Sequence, residues 1–213
     1  MNSPRPWQLV TTRRVQKDFQ KAVTQQLRQN TTYDAENRIR QNLRRFGQLD
    51  RRQAANALRR LRVLGQTVSP RVWAATHGCL WNRWATARRR QHTGSKCMLG
   101  CEGGEDSIEH YTRCSVVHLF ASSRMQLRLR FARPLEYWIL TTPDDEESIH
   151  PMWWEKMALV LYAVLRTTNA ARLRGGVRRE TAERALWQAA IEGAKGTNIL
   201  RTITTSASTS TTS

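Results

Sequence analysis

The chain has 213 residues, of which 39% are hydrophobic, and this is enough for one ordinary domain or two small ones with a modest core. Its formal net charge of +18 lies almost wholly in the first half, since residues 1–96 carry 21 Lys and Arg against 4 Asp and Glu, and residues 97–213 carry 14 against 13. This excess, most of it Arg, predicts a polyanionic partner such as nucleic acid, and the longest apolar run, residues 157–165, is too short to span a membrane.

The first 69 residues predict a basic helical region. Apolar residues recur every four positions from Val15 to Leu27, and a second helix is expected from Asp34 to Phe46. Asp50 should cap a third helix that reaches Leu64, where Gly65 ends it. Six arginines of this region are candidate contacts to nucleic-acid phosphates: Arg44, Arg45, Arg51, Arg52, Arg59 and Arg60.

Residues 70–132 predict a Trp- and Arg-rich helix followed by a metal-binding segment. Ser69-Pro70 is typical of a helix start, and this helix is expected to run to about residue 90. One stripe at helical spacing contains Trp73, His77, Leu80, Trp81 and Trp84. The stripe is either a platform on which bases stack or, as most such stripes are, a packed aromatic seam. Three arginines end the helix, where they either stabilise its negative pole or contact phosphate: Arg88, Arg89 and Arg90.

Three of the four cysteines lie within 18 residues, in the pattern C-x3-C-x8-H-x3-C. The pattern consists of Cys97, Cys101, His110 and Cys114. Three thiolates and one imidazole form a ligand set that zinc takes in structural sites, and four protein ligands leave no position for a catalytic water. The polar N-terminus has no secretory pattern, so we expect a nuclear or cytoplasmic protein with reduced cysteines. A redox role for the thiols is the alternative, but the C-x-x-C spacing is missing.

The local sequence also predicts how the four ligands converge. Gly100 permits a tight turn between the first two cysteines. The spacing of four residues places His110 and Cys114 on the same face of one helical turn, which Asp106 or Ser107 can cap. We therefore predict one structural zinc ion embedded in a mainly α-helical fold.

The remaining sequence predicts further helices and an unstructured end. Helices are expected over residues 116–130, 153–172 and 178–191, with Gly175-Gly176 separating the last two. Residues 133–200 thus form a helical C-terminal region. Residues 201–213 are mostly Ser and Thr, cannot bury much apolar area, and are expected to form a disordered tail.

The metal segment, with Cys97-x3-Cys101, the run from Glu105 to His110, and Cys114, follows a Trp- and Arg-rich stretch. In this it resembles the zinc-binding domain found after the polymerase region of non-LTR retrotransposon reverse transcriptases. The resemblance covers residues 70–130, although the family usually has four residues between its histidine and last cysteine and this chain has three. It implies zinc held by the same four side chains and a role in holding RNA or DNA.

Two functions follow from these patterns. The first is a non-enzymatic, zinc-stabilised nucleic-acid-binding module. The alternative is a protein–protein adaptor that docks a partner through Trp153, Trp154 and Trp187 in the nearly neutral second half. An enzyme is not expected, because the adjacent carboxylates Asp144-Asp145 follow Thr-Thr-Pro in an acidic loop rather than a strand turn that could hold two metal ions.

Overall fold

The computed structural model describes residues 34–44, 47–90, 95–127 and 152–209, together with positions 18, 21, 22, 25, 138 and 140. The chain forms two compact units, residues 1–35 and residues 36–213. In the first unit, positions 18, 21, 22 and 25 are helical and fall within the helix predicted from Val15 to Leu27, whose other residues lie outside the described ones.

The described part of the chain contains helices and no strand, which confirms the predicted mainly α fold. The α-helices whose bounds lie within the described residues are α1 (Ala35–Leu43), α2 (Arg51–Thr67), α3 (Pro70–Leu80), α4 (Ile108–Tyr111), α5 (Ser115–Ser123), α6 (Trp153–Arg172), α7 (Arg179–Ala194) and α8 (Ile199–Thr209), and a 3₁₀ helix covers Arg88–Arg90. None of these helices combines the length and the apolarity that crossing a bilayer requires.

Helix α6 is the central element of the second unit. Its residues 157–164 are all buried, so the helix is covered on every side rather than along one stripe. Helices α3 and α7 both pack on it. Gly193 of α7 allows this approach, because a Cβ there would lie 2.7 Å from the Tyr162 ring and 3.0 Å from Val72 of α3. The buried cluster around α6 runs from Leu64 to Ile203, so it crosses the predicted boundaries at residues 69 and 132.

Helix α2 begins as predicted but ends later. The Asp50 carboxylate accepts a hydrogen bond from the Gln53 amide (2.7 Å), and the Gln53 side chain accepts one from the Asp50 amide (3.0 Å), which is a complete capping box. The prediction that Gly65 ends the helix is wrong. Gly65 lies inside α2 and under the Trp73 indole, and the helix ends at Thr67 because the chain turns extended before Pro70.

Helix α3 begins at Pro70 as predicted, but it ends at Leu80 rather than near residue 90. The chain leaves the helix through Asn82, which has a φ of +50°. It then turns back so that the buried Trp84 ring packs over Gly78 and its indole N–H donates to the Ala75 carbonyl (3.0 Å). Burial of one tryptophan thus separates the arginines of the 3₁₀ helix from α3.

The aromatic stripe of α3 is a packed seam in two parts. Trp73 and His77 stack with ring centroids 5.0 Å apart, and His77 and Trp81 stack at 4.3 Å. The Trp73 indole donates to the Leu61 carbonyl of α2 (2.9 Å). Trp84 belongs to the main core instead. The stack therefore joins α3 to α2, in agreement with the packing interpretation of the stripe.

The C-terminal tail is shorter than predicted. Helix α8 continues to Thr209, so the prediction of disorder from residue 201 is wrong for residues 201–209. Ile199 and Ile203, one helical turn apart, are both fully buried in the main core. These two side chains supply the apolar area that the Ser and Thr residues lack. Residues 210–213 lie outside the described ones.

Candidate metal centre

The four predicted ligands lie together in the structure. Their ligand atoms are all within 4.8 Å of one another, and no other such group occurs among the described residues. The sulfurs of Cys97 and Cys114 are 3.9 Å apart, and the Cys101 sulfur lies 3.0 Å from His110 Nε2. Thiolates bound at about 2.3 Å to one tetrahedral ion are separated by about 3.8 Å. The donor set and its spacing therefore fit a single metal ion.

A short antiparallel pairing closes the loop that carries the first two cysteines. Lys96 and Glu105 form an isolated bridge, in which the Cys97 amide donates to the Gly104 carbonyl (2.8 Å). At the tip, the Gly100 amide donates to the Cys97 carbonyl (3.2 Å). Gly100 has a φ of +72°, a conformation that favours glycine. This turn brings the Cys97 and Cys101 sulfurs to the same side, as predicted.

His110 lies in a helix that ends before Cys114, so the prediction of a shared helical turn is wrong. His110 lies in α4, whose cap is Ser107: its hydroxyl accepts a hydrogen bond from the His110 amide (3.1 Å). Helix α4 ends at Tyr111, and Cys114 is the residue that precedes α5. The turn between α4 and α5 thus brings the two ligands together.

The ionisation of the buried thiols depends on the contacts between them. The hydrogen bond to Cys114, together with burial, raises the pKa of Cys97 to about 12. The same contact, helped by the amides of Val117 and Val116 at the start of α5, lowers the pKa of Cys114. A metal cation favours the thiolate form of its ligands. Binding of an ion therefore requires the release of the proton from Cys97.

Gly104 makes room for the histidine ligand. A Cβ at this position would overlap the His110 imidazole ring, whereas a Cβ at Gly103 would meet nothing within 4 Å. The His110 ring cannot move away and still hold its nitrogen among the three sulfurs. The two adjacent glycines therefore differ in importance, and only the structure distinguishes them.

A buried carboxylate connects the metal segment to the helical core. Asp106 is fully buried and accepts two hydrogen bonds from the Arg172 guanidinium at the end of α6 (2.6 and 2.7 Å). It also accepts hydrogen bonds from the Tyr111 hydroxyl (2.7 Å) and the Ala87 amide (2.8 Å). Burial alone raises the pKa of Asp106, but these donors outweigh burial and hold it below its ordinary value of 3.8.

The cysteine loop also contacts the segment before α7. A Cβ on Gly100 would lie 2.6 Å from the Val177 carbonyl oxygen and 2.7 Å from the Arg179 amide. The Val177 amide donates to the Met98 carbonyl (3.1 Å). The metal segment is therefore held at two places, by Asp106 against α6 and by its glycine turn against the start of α7.

The arginines predicted on α1 and α2 have different environments. Arg44, Arg52 and Arg59 are exposed. Arg51 is paired with Glu36 at 2.7 Å. Arg60 faces inward, where its guanidinium lies 3.9 Å from the Trp154 ring centroid and donates to the Leu140 carbonyl. Arg45 lies outside the described residues. Arg62, which the sequence prediction omitted, is exposed on the same side of α2 as Arg52 and Arg59.

The three arginines of the 3₁₀ helix lie beside the metal segment. Arg88 forms an ion pair with Glu105 (2.8 Å), and its amide donates to the Asp106 carbonyl (3.3 Å). Arg89 donates to the Asn82 carbonyl, and Arg90 is exposed. The fold of the metal segment therefore sets where this basic helix lies.

No protein-family model, curated protein or solved structure matches this chain. The interpretation of the centre accordingly depends on its own geometry and donor chemistry.

We expect Gly104→Ala to abolish metal binding, because the new methyl group displaces the His110 ring. Gly103→Ala is the matched control and should keep the metal. Elemental analysis of the purified proteins measures the difference. Full metal content in Gly104→Ala would show that His110 is not a ligand.

We expect Cys97→Ser to lose the metal and to lower the melting temperature, because metal binding and local folding share one free energy. Cys79→Ala also removes a buried thiol, but Cys79 lies outside the cluster, so this variant should retain one ion per chain. The checks are metal content and thermal unfolding with and without a chelator. Equal metal loss in both variants would contradict the assignment.

We expect Asp106→Asn to reduce the free energy of unfolding by about 3 kcal/mol, because it leaves Arg172 partly buried without its anionic partner. Glu105→Gln, which removes only the exposed pair with Arg88, should cost less than about 1 kcal/mol. Since the pKa of Asp106 is lowered in the folded state, the difference from wild type should be complete above pH 3.8 and shrink below it. Denaturant unfolding across pH tests this; a difference independent of pH contradicts it.

Proposed function

We propose that this chain is a non-enzymatic nucleic-acid-binding module whose geometry is stabilised by one structural zinc ion. The observation that carries the proposal is the outer face of α2, which presents exposed arginines and no acidic residue. The metal centre supports the zinc assignment, since three thiolates and one imidazole close the coordination sphere and leave no position for a substrate.

The arginine face of α2 has the dimensions of a phosphate-binding stripe. Arg52, Arg59 and Arg62 are exposed, whereas Ala54 and Leu61 on the opposite side are buried. A helix rises about 1.5 Å per residue, so the stripe is about 15 Å long. A strand of B-DNA rises about 3.4 Å per nucleotide, so the stripe can follow several successive phosphates. Guanidinium groups bind phosphate oxygens in pairs, which suits this task.

The metal segment contributes a second basic element. Arg88 is held on the metal segment through Glu105 and Asp106, and Arg89 contacts Asn82. The Asn82 side-chain amide in turn donates to the Asn42 carbonyl of α1 (3.5 Å). These contacts connect the 3₁₀ helix to the end of α1. Zinc would thus act indirectly, by fixing the position of arginines that contact the ligand.

The resemblance to the zinc-binding domain of non-LTR retrotransposon reverse transcriptases supports the same proposal. That domain pairs a zinc-binding segment with a Trp- and Arg-rich stretch. In this chain Asp106 joins the corresponding two segments, since it accepts a hydrogen bond from Ala87 and its carbonyl accepts one from Arg88. We infer that the chain derives from such a C-terminal region. The acidic pair Asp144-Asp145 lies outside the described residues.

The adaptor alternative has less support. It required exposed tryptophans, but Trp153 is buried in the core. Trp154 is half-buried under the Arg60 guanidinium, and Trp187 lies beneath Arg124 at 5.9 Å. These rings are engaged within the chain, so they do not form a ready docking surface.

We expect the wild-type protein to bind RNA and DNA with an affinity that falls steeply as salt rises, because phosphate contacts release counterions. The triple variant Arg52→Gln, Arg59→Gln, Arg62→Gln should bind more weakly and show a slope of log K against log salt that is smaller by about 3. Fluorescence anisotropy at several salt concentrations measures both quantities.

The matched control is Arg166→Gln, Arg174→Gln, Arg184→Gln, which removes three exposed arginines from α6, α7 and the loop between them. It changes the net charge equally but should leave the slope nearly unchanged. If both triple variants lose affinity equally, the α2 stripe is not the interface. If wild type does not bind at low salt, the proposed function is wrong.

A further inference from the structure

A polar cleft lies between α1 and the loop that connects it to α2. It has a volume of about 560 Å³, which is within the ~300–1,000 Å³ of clefts that take small ligands. The described residues that line it are mostly polar: Asn37, Arg40, Gln41, Arg44, Gly47, Gln48, Leu49 and Asp50. Asn37, Arg40 and Gln41 lie on the outer face of α1, and Arg44 directly follows its last residue.

Residues 47–50, which form the other wall, are held in place by contacts to α1 and α2. Arg40 Nε donates to the Leu49 carbonyl (2.9 Å), and the Gly47 amide donates to the Arg44 carbonyl (3.4 Å). Asp50 is fixed by the capping box of α2, and Leu49 is buried in the smaller core cluster. Gly47 has a φ of +149°, which allows the loop to fold back along the helix. The cleft is therefore preformed.

The exposed side chains in the cleft offer two kinds of recognition. Arg44 supplies a guanidinium for a phosphate. Gln41 and Gln48, on opposite walls, each supply an amide with both a donor and an acceptor. Paired donors and acceptors match the edges of unpaired nucleobases. A cleft that served only inorganic anions would not need amides on both walls.

We propose that this cleft binds one unpaired nucleotide, with Arg44 on its phosphate and with Gln41 and Gln48 on its base edge. This inference builds on the proposed function and specifies its ligand as single-stranded nucleic acid. A base within a duplex has its edge already paired and must be unstacked before it can enter a cleft between a helix and a loop. The duplex can reach only the α2 stripe, whereas a single strand can use both.

The experiment measures binding of the zinc-loaded full chain to labelled oligonucleotides of about 12 nucleotides. RNA and DNA single strands are compared with duplexes of the same sequence, by fluorescence anisotropy at one salt concentration. The test variant is Gln41→Ala, Gln48→Ala. The control variant is Gln188→Ala, Asn198→Ala, which removes two exposed amides outside both the cleft and α2. Neither variant changes the charge, and metal content and melting temperature check folding.

Wild type is expected to bind single strands more tightly than duplexes. The cleft variant should lose about tenfold in affinity for single strands, as expected for lost amide–base pairs, and nothing for duplexes. The control variant should match wild type. The cleft assignment is overturned if wild type binds single strands and duplexes equally, or if the cleft variant binds single strands as tightly as wild type. Either result leaves the α2 interface intact. Absence of binding to every oligonucleotide overturns both.

Discussion

The Asp106 carboxylate is the point at which the separate parts of this protein meet. Donors reach it from Arg172 at the end of α6, from Tyr111 beside the histidine ligand and from the amide of Ala87, which precedes the 3₁₀ helix. Removing a carboxylate from water is costly, so burial of this group is tolerated only because all these donors are in place. The orientation of the metal segment against the helical core, and of Arg88–Arg90 against both, depends on this arrangement.

The metal centre and the helical core are stabilised in different ways. The core around α6 consists of long, apolar helices that bury one another. The metal segment consists of a single bridge and α4, a helix of four residues, which is too short to be stable by itself. A metal ion bound here would add its free energy of binding to the burial of Leu99, Ile108 and Tyr111 in the main core. Arginine likewise serves two purposes here, because Arg60 covers an indole ring while Arg52 and Arg59 face solvent.

Several features could be predicted because they depend on residues close together in the chain. The four ligands converge as the cysteine and histidine spacing predicts. The capping box at Asp50 and the helix start at Pro70 are local hydrogen-bond and dihedral preferences. The bounds of α6 agree with the helix predicted over residues 153–172, and Gly175-Gly176 follows it with two positive φ angles. A local pattern determines such features before any distant contact forms.

Other features depend on contacts between distant residues, and no local pattern encodes them. Asp106 and Arg172 are 66 positions apart, and Gly65 stays helical because a tryptophan from the next helix covers it. Burial of Trp84 ends α3 early, and burial of Ile203 makes the Ser- and Thr-rich end helical. The sequence by itself therefore determined the candidate metal ligands, the main helices and the basic half of the chain. Only the tertiary structure decided where α2, α3 and α8 end and which arginines face outward, because both depend on what packs against them.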